Sequence, residues 1–258
     1  MVLLFATSAG GQSRSPTRPA QTRPATKPPT QRRLPKGFLS KTVRLPRGEQ
    51  REYAIFVPPQ YQRNPDHHWP LILFLHGAGE RGPADGSKLD LVKVHGPPKI
   101  VEKDKDFAFI VVSPQCHTDE RWDPKQVLAL LDHVLKTYPV DPDRVYLTGL
   151  SLGGYGTWAT AAAAPDRFAA IVPICGGGDP KQACKLKDLP TWAFHGDADK
   201  AVPVARSQAM VEAIKKCDEN APVNLTIYPG VGHNSWTQTY ENPKLYDWVL
   251  SRKRREKK

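Results

Sequence analysis

Short apolar runs rich in β-branched and aromatic residues recur along the middle of the chain. They cover Leu39–Leu45, Glu52–Val57, Leu71–Leu75, Phe107–Val112, Val145–Thr148, Ala170–Ile174, Thr191–Phe194 and Val223–Tyr228, and they read as eight strands. Only the turn-like Pro46-Arg47-Gly48 separates the first two, which predicts an antiparallel hairpin. Helix-length segments separate the later ones, which predicts βα units. Pro124 to Tyr138 places Val127, Leu130, Leu131, Val134, Leu135 and Tyr138 at three- and four-residue spacings. That stripe predicts a helix lying flat on a sheet. Val204–Lys216 predicts another, as does Pro243–Ser251, with Leu245, Trp248 and Val249 on one side. Strands that read as continuous apolar runs are covered on both faces. The expected fold class is therefore α/β, a mostly parallel eight-stranded sheet with helices on both faces. The link between the sixth and seventh strands, Gly176 to Leu189, is too short for a large cap domain, so a site at the strand ends should be open.

A chain of 258 residues can bury one substantial core, which makes one catalytic-sized domain the default, here over residues 38–251. The formal net charge of +11 invites a nucleic-acid reading, but its distribution argues otherwise. Residues 1 to 37 carry seven bases and no acid, residues 251 to 258 carry six bases and one acid, and the rest is close to neutral. Phosphate binding by a folded domain needs bases gathered on its own surface, so no specific nucleic-acid binding by the domain is expected. The Thr/Pro/Arg-rich stretch 13–37 reads as an extended linker and 252–258 as a basic tail. Residues 1–12 pair a short apolar run with small residues, without a basic start, and read as a truncated export signal. No run approaches the roughly 18 apolar residues of a membrane span. Location is periplasmic or extracellular if that signal acts and cytoplasmic otherwise. Oligomeric state has no signature here.

Chemistry concentrates in Gly149-Leu150-Ser151-Leu152-Gly153, a G-x-S-x-G pentapeptide after an apolar run and before the helix-prone Tyr155–Ala162. Strand-turn-helix is the setting of a nucleophile elbow, whose turn is so tight that only glycine fits two positions either side. A serine hydroxyl needs a base within reach, and that base needs an acid to hold its tautomer. Loops after later strands supply both in the expected order, Asp197 or Asp199 after the seventh strand and His233 after the eighth.

Here the domain resembles the α/β-hydrolase superfamily. Within it, the chain is similar to the esterases of the phospholipase/carboxylesterase and dienelactone-hydrolase clan, including the bacterial predicted-peptidase and feruloyl-esterase-like group. His76-Gly77-Ala78-Gly79-Glu80-Arg81-Gly82, the elbow with Gly154, the H-G-x-x-D-x-x-V-P run from His195 to Pro203, and Gly232-His233 carry the likeness, which spans Gly37 to Ser251. Dienelactone hydrolases use a cysteine nucleophile where this chain has serine, so lactone specificity is not implied. The resemblance implies a cofactor-independent carboxylesterase-type serine hydrolase with Ser151, His233 and Asp199 as triad. Its oxyanion hole would be the amides of Leu152 and Ala78. Two other readings are a propeller-less peptidase of the prolyl-oligopeptidase type and an inactive hydrolase-like binding module.

Around that core, His76 reads as a residue fixing its own loop. Glu80 and Arg81 read as a loop-stabilising pair or, for Glu80, a substrate contact. Trp122 and Trp236 are either buried tryptophans or walls for an aromatic or sugar moiety. The expected partner is an ester substrate, polymer-borne or with an aromatic acyl group. The His195–Asp199 run lacks ligand spacing for a metal, and none is expected there. Cys116, Cys175, Cys184 and Cys217 read as buried free thiols, with a Cys175–Cys184 bridge as the alternative in an exported chain.

Overall fold

Alternation along one central strand sets the layering. In β3 (Trp69–Leu75) the side chains of Leu71, Leu73 and Leu75 enter one apolar cluster and those of Ile72 and Phe74 the other. Both sets are buried, as period-two geometry requires of a strand covered on two faces. The computed structural model describes residues 37–254 apart from residues 47, 64–66 and 105. The expected export signal (1–12), the linker up to residue 36 and residues 255–258 of the basic tail lie outside the described residues.

One eight-stranded sheet runs in the order β1-β2-β4-β3-β5-β6-β7-β8. Strands β1 (Gly37–Arg44) and β2 (Gln50–Val57) form the expected hairpin, and β2 pairs antiparallel with β4 (Ile110–Pro114). From β4 onward, β3, β5 (Val140–Leu150), β6 (Ala170–Ile174), β7 (Thr191–Gly196) and β8 (Val223–Tyr228) are parallel. Their carboxyl ends share one edge, and the chain reverses its direction of winding around β3. Crevices at such switch points are where open α/β sheets hold ligands.

Helices α2 (Pro124–Thr137), α3 (Leu152–Ala163) and α4 (Ala205–Cys217) pack on the Leu71/Leu73/Leu75 face, while α1 (Gly96–Lys103) and α6 (Pro243–Leu250) cover the other. Start signals are local: Asp123 accepts from the Lys125 amide at 2.9 Å and Asn242 from the Lys244 amide at 3.1 Å, each followed by proline at the first helical position. Two helices escape the periodicity reading. In α1 the first turn is Gly96-Pro97-Pro98, and α5 (Trp236–Tyr240) is only five residues long. Strand β4 begins at Ile110 rather than Phe107, because Phe107 and Phe109 turn into an aromatic cluster with Tyr246 of α6.

Between β6 and β7 the chain makes a 3-10 segment, Pro180–Leu186, and no cap. Cys184 in that segment is bonded to Cys217 at the end of α4, with Cα atoms 5.3 Å apart. The bridge corrects the free-thiol expectation for Cys184 and Cys217 and replaces the Cys175–Cys184 alternative, while Cys116 and Cys175 are buried free thiols as expected. Cys175 is buried in the apolar cluster on the sheet face opposite the one that Ala183 and Leu186 join. The bridge closes a loop of sequence separation 33. Loop-closure entropy makes it worth roughly 3–4 kcal/mol. Reduction, or the double variant Cys184→Ser/Cys217→Ser, is therefore expected to lower the thermal midpoint measurably, as circular dichroism with and without reductant will report.

Candidate active site

Ser151 links β5 to α3 with φ 52 and ψ −114, a positive φ that non-glycine residues adopt at a cost of about 1–3 kcal/mol. Packing enforces the turn. A Cβ at Gly153 would overlap the Leu75 carbonyl and one at Gly149 the carbonyl of Gly153, so both positions exclude any side chain. The Ser151 amide donates to the Ile174 carbonyl at 3.0 Å, tying the turn to β6. Because Leu75 pairs with Gly149, the loop after β3 lies beside this turn.

Loops after β7 and β8 bring the other two groups in. His233 Nε2 lies 2.9 Å from Ser151 Oγ, and His233 Nδ1 lies 2.7 Å from Asp199 Oδ2. The other Asp199 oxygen accepts the Ala201 and Val202 amides, each at 2.9 Å. Burial raises the Asp199 pKa, but the hydrogen bond from His233 and those two amides outweigh it and hold the carboxyl below its ordinary value. A carboxylate there requires the proton on Nδ1, which leaves the Nε2 lone pair facing the hydroxyl. Asp197, the competing acid, is exposed and accepts the Gly230 amide at 2.7 Å, pinning the turn after β8. Fully buried His195 braces the acid loop: Nε2 sits 2.8 Å from the Val202 carbonyl and 3.2 Å from Asp199 Oδ2, and Nδ1 sits 2.8 Å from Ser207 Oγ.

Across the serine, the loop after β3 is wired from within. His76 donates from Nδ1 to the Gly77 carbonyl at 2.6 Å and accepts the Cys116 amide on Nε2 at 2.9 Å. Glu80 accepts the Gly77 amide at 2.9 Å, and Arg81 donates to the Ala78 carbonyl at 3.1 Å instead of pairing with Glu80. Trp122 donates its indole N–H to the His76 carbonyl at 3.1 Å and lies where a Cβ on Gly156 would go, so it wedges this loop against α3. Ala78 opens the short 3-10 turn Ala78–Glu80 and Leu152 opens α3, so both amides stand at helical starts, where no intrahelical partner exists.

Burial lowers the His76 pKa from its ordinary 6.5 to about 4, against a smaller upward pull from the Gly77 carbonyl. The folded-state value is the lower one, so the unfolded chain takes up the extra proton between pH 6.5 and about 4. Stability from this group is complete above 6.5 and is lost on acidification through that window, by on the order of 3 kcal/mol. Urea midpoints measured across it are expected to fall with pH, and to fall less in His76→Gln.

Beyond these three side chains, Trp236 packs edge-on against His233 with ring centroids 5.4 Å apart, and His95 packs against Trp236 at 5.5 Å. His95 Nε2 is also 3.7 Å from Glu80 Oε1. Glu80 and Trp236 are thus joined through His95. His95 has no motif of its own; the Gly96-Pro97-Pro98 start that follows it was the available signal for a helix and its capping loop. Cys175 is the other residue the motifs did not mark. It follows β6 at φ 39, and its sulfur, the Asp199 carboxylate and a His233 ring nitrogen all lie within 4.8 Å of one another.

Comparison with known proteins turns this geometry into a lineage. The dienelactone hydrolase family matches residues 51–248. The chain belongs to that family. Among curated relatives, a putative esterase, NocK, of Nocardia uniformis subsp. tsuyamanensis is 29% identical over 174 residues, covering 60% of this chain and 47% of its own. The bifunctional acetylxylan esterase/xylanase XynS20E of Neocallimastix patriciarum is 26% identical over 214 residues, 78% of this chain and 28% of its own. A thermostable esterase of known structure superimposes with TM-score 0.71 at 33% identity, over 84% of this chain and 63% of the other. The chain thus spans less than half the length of these two curated relatives. Among the described residues no helix is long and apolar enough to cross a membrane.

Proposed function

We propose that this dienelactone-hydrolase-family chain is a cofactor-independent carboxylesterase acting through an acyl-enzyme. Ser151 Oγ attacks the ester carbonyl while His233 Nε2 takes its proton, and Asp199 holds the imidazole in the tautomer that can do so. Negative charge on the carbonyl oxygen is met by the Ala78 and Leu152 amides, the second at the positive end of α3. His233 then protonates the departing alcohol, and a water activated at the same nitrogen releases the acid. What supports this reading is the unbroken contact chain Ser151–His233–Asp199, with both links inside 3 Å.

For substrate, the short β6–β7 connection leaves the strand ends uncovered, which favours bulky, polymer-borne or aromatic acyl esters over small sequestered ones. The name of the acetylxylan esterase relative agrees with that class. A disulfide between Cys184 and Cys217 favours an oxidising compartment. A panel of short-acyl aryl, feruloyl, acetyl-sugar, polyester and peptide substrates tests the proposal. Ester turnover with little amide turnover supports it, and preference for the peptide, or no turnover together with no labelling by a fluorophosphonate, defeats it.

A further inference from the structure

The proposed mechanism leaves the Cys175 thiol unused. It is fully buried at the end of β6, between the strands that carry Ser151 and Asp199. Burial pushes its pKa up to about 12, so left to itself it is neither a nucleophile nor an easily oxidised thiol. Its surroundings are the informative part. Sulfur, carboxylate oxygen and imidazole nitrogen from Cys175, Asp199 and His233 converge within 4.8 Å. Ser235, also fully buried, neighbours Cys175, and its hydroxyl favours the thiolate form.

We propose that Cys175, Asp199 and His233 form an inhibitory site for a thiophilic divalent cation such as Zn²⁺, which switches the esterase off by capturing its base. Thiolate, imidazole and carboxylate are a zinc donor set, and tetrahedral bonds of about 2.3 Å to sulfur and about 2.0–2.2 Å to nitrogen and oxygen need ligand atoms roughly 3.3–3.7 Å apart. The Nδ1–Oδ2 contact of 2.7 Å opens slightly and the sulfur closes in. Asp199 stays anchored through its other oxygen by the Ala201 and Val202 amides, and His195 flanks the coordinating one, so the surrounding shell is already in place. The Ser235 hydroxyl or a water completes four-coordination. His233, the part-exposed member, gives the route in.

Proton accounting explains why occupancy silences the enzyme. On coordination the Cys175 thiol loses one proton to solvent, and the proton on His233 Nδ1 gives way to the metal and is carried on Nε2 instead. No electrons are transferred. Nε2–H now points at Ser151 Oγ, at the 2.9 Å contact through which it had been able to accept a proton. A base presenting N–H to the nucleophile cannot activate it. Metal here is an inhibitor and not a cofactor, so chelators should raise activity or leave it unchanged.

This proposal rests on the esterase reading for its activity readout, and a second readout stands without it. The full-length chain, and the Cys175→Ala variant, are titrated with Zn²⁺ during hydrolysis of a chromogenic aryl ester and then treated with EDTA. Wild type is expected to lose activity and regain it with EDTA. Cys175→Ala should keep metal-free turnover and need more than about 10-fold more zinc for the same inhibition. In parallel, Co²⁺ added without substrate should give a thiolate-to-cobalt charge-transfer band in wild type that is missing from Cys175→Ala and weakened in Asp199→Asn. Equal zinc sensitivity of the two proteins, or absence of the band from wild type, overturns the site. A chain with the band and no ester turnover would defeat the esterase reading while leaving the metal site standing.

Discussion

Replacing Ser151 by alanine is expected to lower hydrolysis of an activated aryl ester by on the order of 10⁴-fold or more, with the fold unchanged. The argument is chemical before it is geometric. Without a hydroxyl there is no acyl-enzyme, and what remains is water attacking a carbonyl bound near the Ala78 and Leu152 amides, a residual activity that oxyanion stabilisation alone can still support. Folding should survive, because the turn is held by the Ser151 amide on Ile174 and by the packing of Gly149 and Gly153, none of which involves the hydroxyl. Alanine tolerates φ 52 about as poorly as serine does, so little strain is gained or lost. Steady-state rates, urea midpoints and fluorophosphonate labelling together decide the matter. An alanine variant that turns over like wild type would remove Ser151 from the chemistry, and one that merely unfolds would show it in the urea curve.

Much of this site was legible because its constraints are local. Gly149 and Gly153 are required by carbonyls that approach within the turn itself, so they stand at fixed offsets from Ser151 whatever surrounds them. The register of the run from His195 to Pro203 favours Asp199 over Asp197, and it is the Asp199 carboxylate that lies against His233 while Asp197 holds the Gly230 amide. Sheet and helices were legible for a similar reason, since Leu71 to Leu75 and Val127 to Val134 each declare their period over a few residues. Long-range meetings were not legible. Cys184 finds Cys217 because a 3-10 segment after β6 packs against the end of α4, a contact no spacing encodes. His95 reaches Glu80 and Trp236 from the residue ahead of α1, in a part of the chain with no motif. Cys175 reads from the sequence as a free thiol or as a partner for Cys184, whereas its neighbours are Asp199 and His233. In each case the missing information is which loop ends share a strand edge, and that is a property of the sheet order.

Asp199→Asn is expected to reduce kcat by about 10⁴-fold with KM little changed, although the side chain keeps its size and place. An asparagine here has two orientations. One points its amide nitrogen at the Ala201 and Val202 amides, donor against donor, leaving two part-buried N–H groups without their acceptor. The other keeps its oxygen on those amides and turns the nitrogen toward His233 Nδ1, exchanging donor and acceptor in that contact. The second orientation is therefore favoured. It donates to Nδ1, which forces the imidazole proton onto Nε2 and presents N–H to Ser151 Oγ, so the hydroxyl has no acceptor. Bound substrate never touches position 199, and for that reason KM should hold. Asp197→Asn is the matched control, since it loses a charge two residues away and only weakens the Gly230 contact; its kcat should stay within a few-fold of wild type. If instead Asp199→Asn retained kcat and Asp197→Asn lost it, the acid would belong to the exposed residue and the contact chain through position 199 would be packing alone.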